Sequence, residues 1–127
     1  MKRTIISTDR APGAIGPYNQ GIRAGAFLFT AGQIPLDPRT MEIVGETAAE
    51  QARQALANAR AVVEAGGLTL ADVVKVTVFI RDMGEFGAIN EVYATFFPDA
   101  PPARSVVEVS RLPKDVLVEV EMIAYSG

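Results

Sequence analysis

Two charged side chains in this sequence have the type and the setting to do chemistry. Arg104 directly follows a Pro-Pro-Ala segment at residues 101–103, whose restricted backbone would fix the direction of its guanidinium. A guanidinium offers paired donors that match a carboxylate, so Arg104 could bind the carboxylate of a small organic acid. Glu119 lies between two valines, and its carboxylate could orient a water molecule as a general base.

Both residues also have simpler explanations, which the residues alone favour. Arg104 could form a surface ion pair with Glu119 or Glu121 across a sheet, and such pairs contribute roughly 0–1 kcal/mol. Glu119 could be an ordinary solvated carboxylate on the open face of an antiparallel sheet.

Three other side chains carry weaker signals. Asn90 interrupts an apolar helical stripe, and a buried amide needs partners, of which a backbone group is the favoured one. Tyr18 follows a stiff Gly-Pro pair and could equally be a packing residue or the wall of a pocket. Lys75 could form a Schiff base if it were desolvated, but its expected place beside Thr77 favours a solvated lysine.

Composition narrows the possible chemistry and partners. The 127 residues include no cysteine and no histidine, which excludes disulfides, thiolate nucleophiles and every Ser-His or Cys-His arrangement. We therefore expect no metal site. The formal net charge of −3 lacks the basic excess of a nucleic-acid binder.

The chain length predicts one domain over residues 1–127. No apolar run approaches the length of a membrane span, and the basic N-terminal residues are not followed by the apolar stretch of a signal peptide. The expected location is therefore the cytoplasm, with no membrane partner.

Periodicity in the first half predicts a strand, with a possible hairpin arm before it, and then a helix. The strand covers residues 27–31 and the hairpin arm residues 20–24. Thr47 and Glu50 form a capping box that begins the helix, and the glycine pair at 66–67 ends it. Its apolar stripe consists mostly of alanine, so this helix can lie close against a sheet.

The second half changes to a period of two and then back to a helix. Four residues of the next strand are predicted to share one face: Val74, Val76, Val78 and Ile80. Asp82, supported by Glu85, is predicted to cap a second helix. Two more strands follow, at residues 103–109 and 116–125.

The last strand predicts a sheet with one apolar and one mixed face. Its even-numbered residues are apolar and would lie under the helices, while Glu119 and Glu121 belong to the mixed face. That mixed face would also carry four large apolar side chains: Phe79, Leu117, Ile123 and Tyr125. This is much apolar surface to leave in water, which favours oligomerisation through this face.

Taken together, three stretches resemble the Rid family of reactive intermediate deaminases, also called YjgF proteins. They are Ile-Gly-Pro-Tyr-Asn-Gln at residues 15–20, Ala-Gly-Gln-Ile-Pro at 31–35 and Pro-Ala-Arg-Ser at 102–105. The last stretch continues through Arg-Leu-Pro-Lys-Asp at 111–115 to Glu119 and Glu121. The similarity runs nearly end to end and in the family's order.

The resemblance implies a chorismate-mutase-like (YjgF-like) α+β protomer, with a mixed sheet and two helices on one face. It also implies a homotrimer around a central β-barrel, with ligand sites between adjacent subunits. The family's usual activity is hydrolysis, without a cofactor, of small 2-imino acids such as 2-iminobutanoate and 2-iminopropanoate to 2-keto acids and ammonia. A chain without histidine or cysteine can do this chemistry, because a protonated imine is already a strong electrophile that needs only an oriented water.

The resemblance also implies roles for particular residues. Arg104 would bind the substrate carboxylate, and Glu119 would polarise the attacking water, helped by backbone groups near Val106. Three residues would line or shape the pocket: Tyr18, Gly32 and Asn90.

Two positions depart from the commonest family pattern. Ala31 stands where many members carry serine, so a hydroxyl near the substrate is missing and the substrate preference stays open. Val106 stands where many members carry cysteine, but there the backbone matters more than the side chain.

Two other functions remain as alternatives. One is a ribonuclease or translation inhibitor, an activity also attached to this family, for which Arg104, Arg111 and Lys114 could form a small basic patch. The acidic balance and the absence of histidine count against it. The other is a non-catalytic metabolite-binding or chaperone-like module that uses the same cleft.

Overall fold

The computed structural model describes residues 2–127, which form one six-stranded sheet with two helices packed on it. The strands are β1 (Arg3–Ile6), β2 (Gly21–Ala24), β3 (Phe27–Thr30), β4 (Val73–Ile80), β5 (Ala103–Glu108) and β6 (Val118–Tyr125), and the helices are α1 (Ala48–Ala65) and α2 (Phe86–Phe96). The strand order is β1-β2-β3-β6-β4-β5, with β4 and β5 parallel and all other neighbours antiparallel. The predicted α+β fold with a mixed sheet and two helices is confirmed.

Helix α1 follows its sequence signals closely. The Thr47 hydroxyl accepts a hydrogen bond from the Glu50 N–H, and the Glu50 carboxylate accepts one in return from the Thr47 N–H. The predicted stripe is fully buried: Ala52, Ala55, Leu56, Ala59, Val62 and Val63. These residues belong to the main core, in which α1 packs mainly on β6 and also on β3, which confirms the predicted contact between helix and sheet.

Strand β4 contains one irregularity that the sequence pattern did not indicate. Val76, Val78 and Ile80 are buried as predicted, but Val74 is 44% exposed and Val73 is buried in its place. The register against β6 shifts between Val73 and Lys75, as in a β-bulge, and an extra residue in a strand reverses the facing of what precedes it. The prediction for Val74 was therefore wrong.

Helix α2 begins later than predicted. The Asp82 side chain caps a short 3₁₀ turn, Met83–Glu85, by accepting a hydrogen bond from the Gly84 N–H. The α-helix itself begins at Phe86. Asn90 is exposed rather than buried, and its side chain contacts another side chain instead of the backbone group that the sequence favoured.

The last two strands are shorter than predicted because the segment between them turns tightly. Lys114 and Asp115 both have a positive φ, within a 3₁₀ turn that the Arg111–Asp115 ion pair spans. Val116 is buried in a second, smaller core with Ile34, Leu36 and Leu112 rather than under the helices, so the prediction for Val116 was wrong. Leu117 packs against the main core, so the prediction that it lies on the mixed face was wrong.

The sheet face away from the helices carries exposed apolar side chains, as predicted. Phe27, Phe29, Val107 and Tyr125 are each at least 40% exposed, and the ring of Phe27 contacts that of Tyr125 at a centroid distance of 5.0 Å. Phe79 and Ile123 on the same face are partly buried. Within residues 2–127 no helix is long and apolar enough to cross a membrane.

Candidate active site

Arg104 and Glu119 lie on opposite faces of the sheet. Arg104 pairs with the buried Val76 and therefore projects towards the helices. Glu119 pairs with Phe79 and projects from the other face. The ion pair across the sheet is therefore not formed, and the two side chains line two separate recesses within one chain.

The first recess, the Glu119 cavity, has a volume of about 360 Å³. Its lining is mostly apolar, with the Glu119 carboxylate as the charged group: Pro12, Gly13, Ile15, Tyr18, Ala31, Gly32, Gln33, Ile34, Leu36, Pro113 and Glu119. The structure thus brings together four of the residues that the sequence singled out, at a size that suits a small molecule.

The carboxylate of Glu119 is held in a setting that disfavours its charge. Burial among apolar walls raises the pKa of Glu119 above its ordinary value of 4.5, and the nearby charge of Glu121 raises it further. A carboxylate with a raised pKa is a stronger base when it is ionised, which suits a group that takes a proton from water.

Gly32 provides the space that the Glu119 carboxylate occupies. A Cβ added at Gly32 would overlap Oε2 of Glu119 and lie 2.9 Å from its Cδ. Ala31 and Gly32 directly follow β3, and Gln33 then forms a bridge with Val120 through two backbone hydrogen bonds of 2.7 and 3.0 Å. That bridge fixes the backbone of Gly32 beside Glu119, so the role of this glycine is close approach.

We therefore expect Gly32→Ala to lower strongly the rate of any reaction in which the Glu119 carboxylate acts as the base, while leaving the fold intact. The new methyl group has to displace the carboxylate, and a displacement of about 1 Å at a reacting group can cost roughly a hundredfold in rate. Steady-state kinetics with circular dichroism would measure both effects. The matched control is Gly87→Ala, because a Cβ at Gly87 meets no atom within 4 Å. Equal activity of the two variants would show that the close approach has no catalytic consequence.

Tyr18 forms part of the rim of the Glu119 cavity. Its hydroxyl accepts a hydrogen bond of 3.2 Å from the Ile15 N–H, and its side chain is 45% exposed. The alternatives for Tyr18 were packing or a pocket wall, and the structure places it in the wall.

The second recess, the Arg104 cleft, lies between β5 and α2 and has a volume of about 380 Å³. The Arg104 guanidinium donates a hydrogen bond of 2.7 Å to Oδ1 of Asn90. Its central carbon lies 4.6 Å from the ring centroid of Tyr93 and 5.5 Å from that of Phe86. Because a guanidinium has five N–H donors and this bond uses one, the group is oriented but keeps donors for a ligand.

Tyr93 contributes the face of its ring to the wall of this cleft. Burial raises the pKa of Tyr93, and the neighbouring charge of Arg104 opposes that rise. The phenol therefore stays neutral, and among residues 2–127 its buried hydroxyl has no hydrogen-bond partner.

Val106 lines neither recess. Its side chain is partly buried against the main core, two residues along β5 from Arg104. Since β5 is the last strand in the sheet order, its outer edge pairs with no strand of residues 2–127. Backbone groups on that edge are available to a ligand or a second chain.

Sequence reasoning missed the two rings that hold Arg104. Phe86 and Tyr93 belong to the apolar helical stripe that Asn90 interrupts in the sequence. The signal that could have found them is their spacing, because residues 86, 90 and 93 follow each other at helical intervals and so share one face. Nothing in the sequence indicated that Arg104 would lie against that face.

The fold and its two recesses define a small α+β protein with two cavities of a size that suits a small molecule. The family model described as Endoribonuclease L-PSP matches residues 8–126, and the chain belongs to this family. It is 51% identical over 127 residues to the 2-iminobutanoate/2-iminopropanoate deaminase of Escherichia coli, an alignment that covers 98% of each protein.

Solved structures agree with this assignment. The chain is similar to TdcF of Escherichia coli with bound serine, with a TM-score of 0.94 and 51% identity over 98% of this chain and 99% of that one. It is equally similar in fold to the YjgF gene product of Escherichia coli, with a TM-score of 0.94 and 49% identity over the same shares of the two chains. The resemblance to Rid/YjgF proteins is confirmed.

Proposed function

We propose that this protein hydrolyses small 2-imino acids, of the size of 2-iminobutanoate and 2-iminopropanoate, to 2-keto acids and ammonia. The observation that carries the proposal is a half-buried carboxylate with a raised pKa in an apolar cavity, in a chain 51% identical to a deaminase of that name. The experiment generates 2-iminopropanoate in solution with an amino-acid oxidase and follows the loss of the imine with and without the protein. Decay at the uncatalysed rate would reject the proposal.

The reaction requires positioning and one proton acceptor. The oxygen of one water molecule attacks the carbon of the imine, whose nitrogen is protonated. One proton of this water passes to the Glu119 carboxylate. The resulting carbinolamine takes that proton on its nitrogen and the C–N bond breaks. Ammonia leaves as the hydroxyl gives its proton to the Glu119 carboxylate and the carbonyl forms, and Glu119 then releases this proton to the ammonia or to solvent. One water is consumed for each ammonia released, and no electron transfer is needed, so the reaction requires no cofactor.

Each candidate residue has a role in this proposal. Arg104 binds the substrate carboxylate with the donors that Asn90 leaves free, and Glu119 orients and deprotonates the water. Tyr18, Ala31 and Gly32 line the cavity around the water and the substrate, and the backbone at Val106 contributes edge groups. The serine bound in the related TdcF structure, a small amino acid, supports a ligand of this size.

The active site of this proposal requires two chains, because Arg104 and Glu119 of one chain lie on opposite faces of its sheet. We propose that residues 1–127 form a single domain that assembles as a homotrimer. The open sheet faces would then line a central β-barrel, which would bury Phe27, Phe29 and Tyr125. The exposed apolar side chains of that face and the free edge of β5 support the assembly. Light scattering that gives the mass of a monomer at micromolar concentration would contradict it.

A site shared between chains predicts complementation between two inactive variants. Co-expression of Arg104→Ala with Glu119→Gln should restore about a quarter of the wild-type activity. In randomly mixed trimers, about a quarter of the sites combine a native Arg104 from one chain with a native Glu119 from its neighbour. Separately purified variants, assayed immediately after mixing, are the control. Complete inactivity of the co-expressed, mixed trimers would place both residues in the same chain's site.

The ribonuclease alternative rests on the name of the matching family model. The same variants decide between the two functions. RNA cleavage that co-purifies with the protein and persists in Arg104→Ala, together with no effect on 2-imino acids, would favour the ribonuclease.

A further inference from the structure

We infer that Gln20 and Asn58 are positioning residues that hold the two irregular walls of the Glu119 cavity against the Glu119 carboxylate. The kinetic consequence rests on the proposed function, whereas the structural one can be measured without substrate. Neither residue lines the cavity or can touch a ligand in it. Both bind backbone carbonyl groups of the segments that line the cavity.

Gln20 holds the wall that contains Pro12 and Gly13. Its side chain is only 5% exposed, and its Nε2 donates to three carbonyl oxygens, those of Thr8, Ala11 and Pro12, at 2.8 to 3.1 Å. Its Oε1 accepts a hydrogen bond of 2.7 Å from the Thr8 N–H. One side-chain amide therefore hydrogen-bonds to the backbone at both ends of the segment from Thr8 to Pro12, which lies outside the strands of the sheet.

Asn58 holds the second wall, which contains Ile34 and Leu36. It is 1% exposed on the inner side of α1, and its Nδ2 donates to the carbonyl oxygens of Ile34 and Leu36 at 3.0 and 2.9 Å. Its Oδ1 accepts a hydrogen bond of 2.9 Å from Gln54 Nε2, which fixes the orientation of the amide. Both Ile34 and Leu36 line the cavity.

These amides are needed because the walls lack the continuous hydrogen bonding of a strand. Between β3 and α1, isolated bridges join Gln33 to Val120 and Leu36 to Ile43, and no longer ladder forms among the described residues. Without the Asn58 amide, the Ile34 carbonyl keeps the Leu36 N–H at 2.8 Å, and the Leu36 carbonyl keeps the longer bond of 3.4 Å from Gln54 Nε2. Each carbonyl then has one donor fewer and nothing ties the segment to the inner side of α1 at this point, so the segment would shift towards water. The same holds for Gln20 and the other wall.

The position of the walls controls how much water reaches the Glu119 carboxylate. Within one chain, two other titratable groups are near it: Tyr18 on the rim of the cavity and Glu121 on the same strand. In the proposed trimer, the Arg104 guanidinium of the adjacent chain is a third, and neither amide substitution changes it. The neighbour of Glu119 across β4, Phe79, carries no charge. With these groups unchanged, a wall that moves outward admits water, and the pKa of Glu119 falls towards its ordinary value.

The test uses Asn58→Ser and Gln20→Met in the full chain. Serine can satisfy one of the two carbonyls, and methionine preserves the length of glutamine without a donor. The primary measurement is a ¹³C NMR titration of the Glu119 carboxyl, assigned by its absence in Glu119→Gln. The expected result is a lower Glu119 pKa in both variants, with kcat reduced by roughly tenfold or more and the acid limb of the kcat profile shifted to lower pH.

Val63→Ala is the matched control for lost stability. Val63 is fully buried on α1 and faces the main core, so its truncation lowers Tm without touching either wall. Even where Val63→Ala lowers Tm as much as the two amide variants do, it should leave the Glu119 pKa and the acid limb of the kcat profile unchanged.

The outcomes separate the possibilities. An unchanged Glu119 pKa in both folded amide variants, or an equal shift in Val63→Ala, would overturn the inference, as would failure of both amide variants to fold. A shift in one variant alone would restrict the positioning role to that residue and reject it for the other. Wild-type protein without effect on any 2-imino acid would reject the proposed function alone, because the NMR measurement does not need substrate.

Discussion

Replacing Arg104 with alanine is expected to lower kcat/KM for 2-iminopropanoate by about 30-fold to a few thousand-fold. This corresponds to the roughly 2–5 kcal/mol that is lost when one partner of a hydrogen-bonded charge pair is removed from a desolvated site. Alanine leaves the substrate carboxylate without its donors, and it also leaves Asn90 and the Tyr93 ring without the guanidinium that they contact.

Arg104→Lys separates the charge from the geometry of the guanidinium. Lysine keeps the positive charge but cannot bind a carboxylate with two parallel N–H groups, and it interacts less well with the faces of two rings. We expect an intermediate loss, mainly in KM if the carboxylate contact is equal in the ground and transition states.

Arg60→Ala is the matched control for Arg104→Ala. The Arg60 guanidinium also lies over an aromatic ring, 5.1 Å from the centroid of Phe96, but it lines neither the Arg104 cleft nor the Glu119 cavity. It should lose at most a little stability and no activity. An Arg104→Ala variant with wild-type kcat/KM would remove the carboxylate clamp from the mechanism.

Replacing Glu119 with glutamine is expected to lower kcat by about 10²–10⁴-fold, the usual contribution of a general base. Glutamine has nearly the same shape and can still hydrogen-bond to water, but it cannot accept a proton. The loss should therefore appear in kcat, while Tm stays equal or rises because a half-buried charge has been removed.

The pH dependence of the wild-type enzyme follows from the same group. The base must be ionised to act, and its pKa is raised above 4.5. Activity should therefore fall as the pH drops through a pKa higher than that of an ordinary glutamate, and the Glu119→Gln variant should lack this limb.

Glu121→Gln is the control on the same strand and the same face. Because the Glu121 charge raises the pKa of Glu119, its removal should shift the acid limb to lower pH with little loss of kcat at neutral pH. An acid limb that persists in Glu119→Gln would assign the titration to another group.

Most of the elements could be predicted from the sequence because they depend on neighbours along the chain. The capping box at Thr47, the alanine stripe of α1 and the alternation in β6 are all local patterns, and the structure matches them. The errors arose where local patterns compete. Asp82 caps a 3₁₀ turn before the helix, and the bulge after Val73 cannot be seen in a simple period of two.

The residues of the candidate site could also be selected from the sequence, through the family resemblance, since the residue types alone favoured a surface ion pair for Arg104 and a solvated carboxylate for Glu119. Without histidine or cysteine, an arginine for the carboxylate and a glutamate for water were the candidates that the motifs indicated. What could not be predicted is how each is held. Phe86 and Tyr93 contact Arg104 only because α2 packs over β5, and Gln20 and Asn58 contact wall segments 8 to 24 residues away in the chain.

The sequence by itself thus determined the elements, the family and the two charged residues on which the proposed chemistry depends. The tertiary structure alone decided that Arg104 and Glu119 occupy opposite faces of the sheet. Alternation along a strand says that neighbours face opposite ways, but the register between strands decides which of them meets the helices. That register depends on how distant segments pack in three dimensions, and it is the reason why the proposed mechanism takes Arg104 and Glu119 from two different chains.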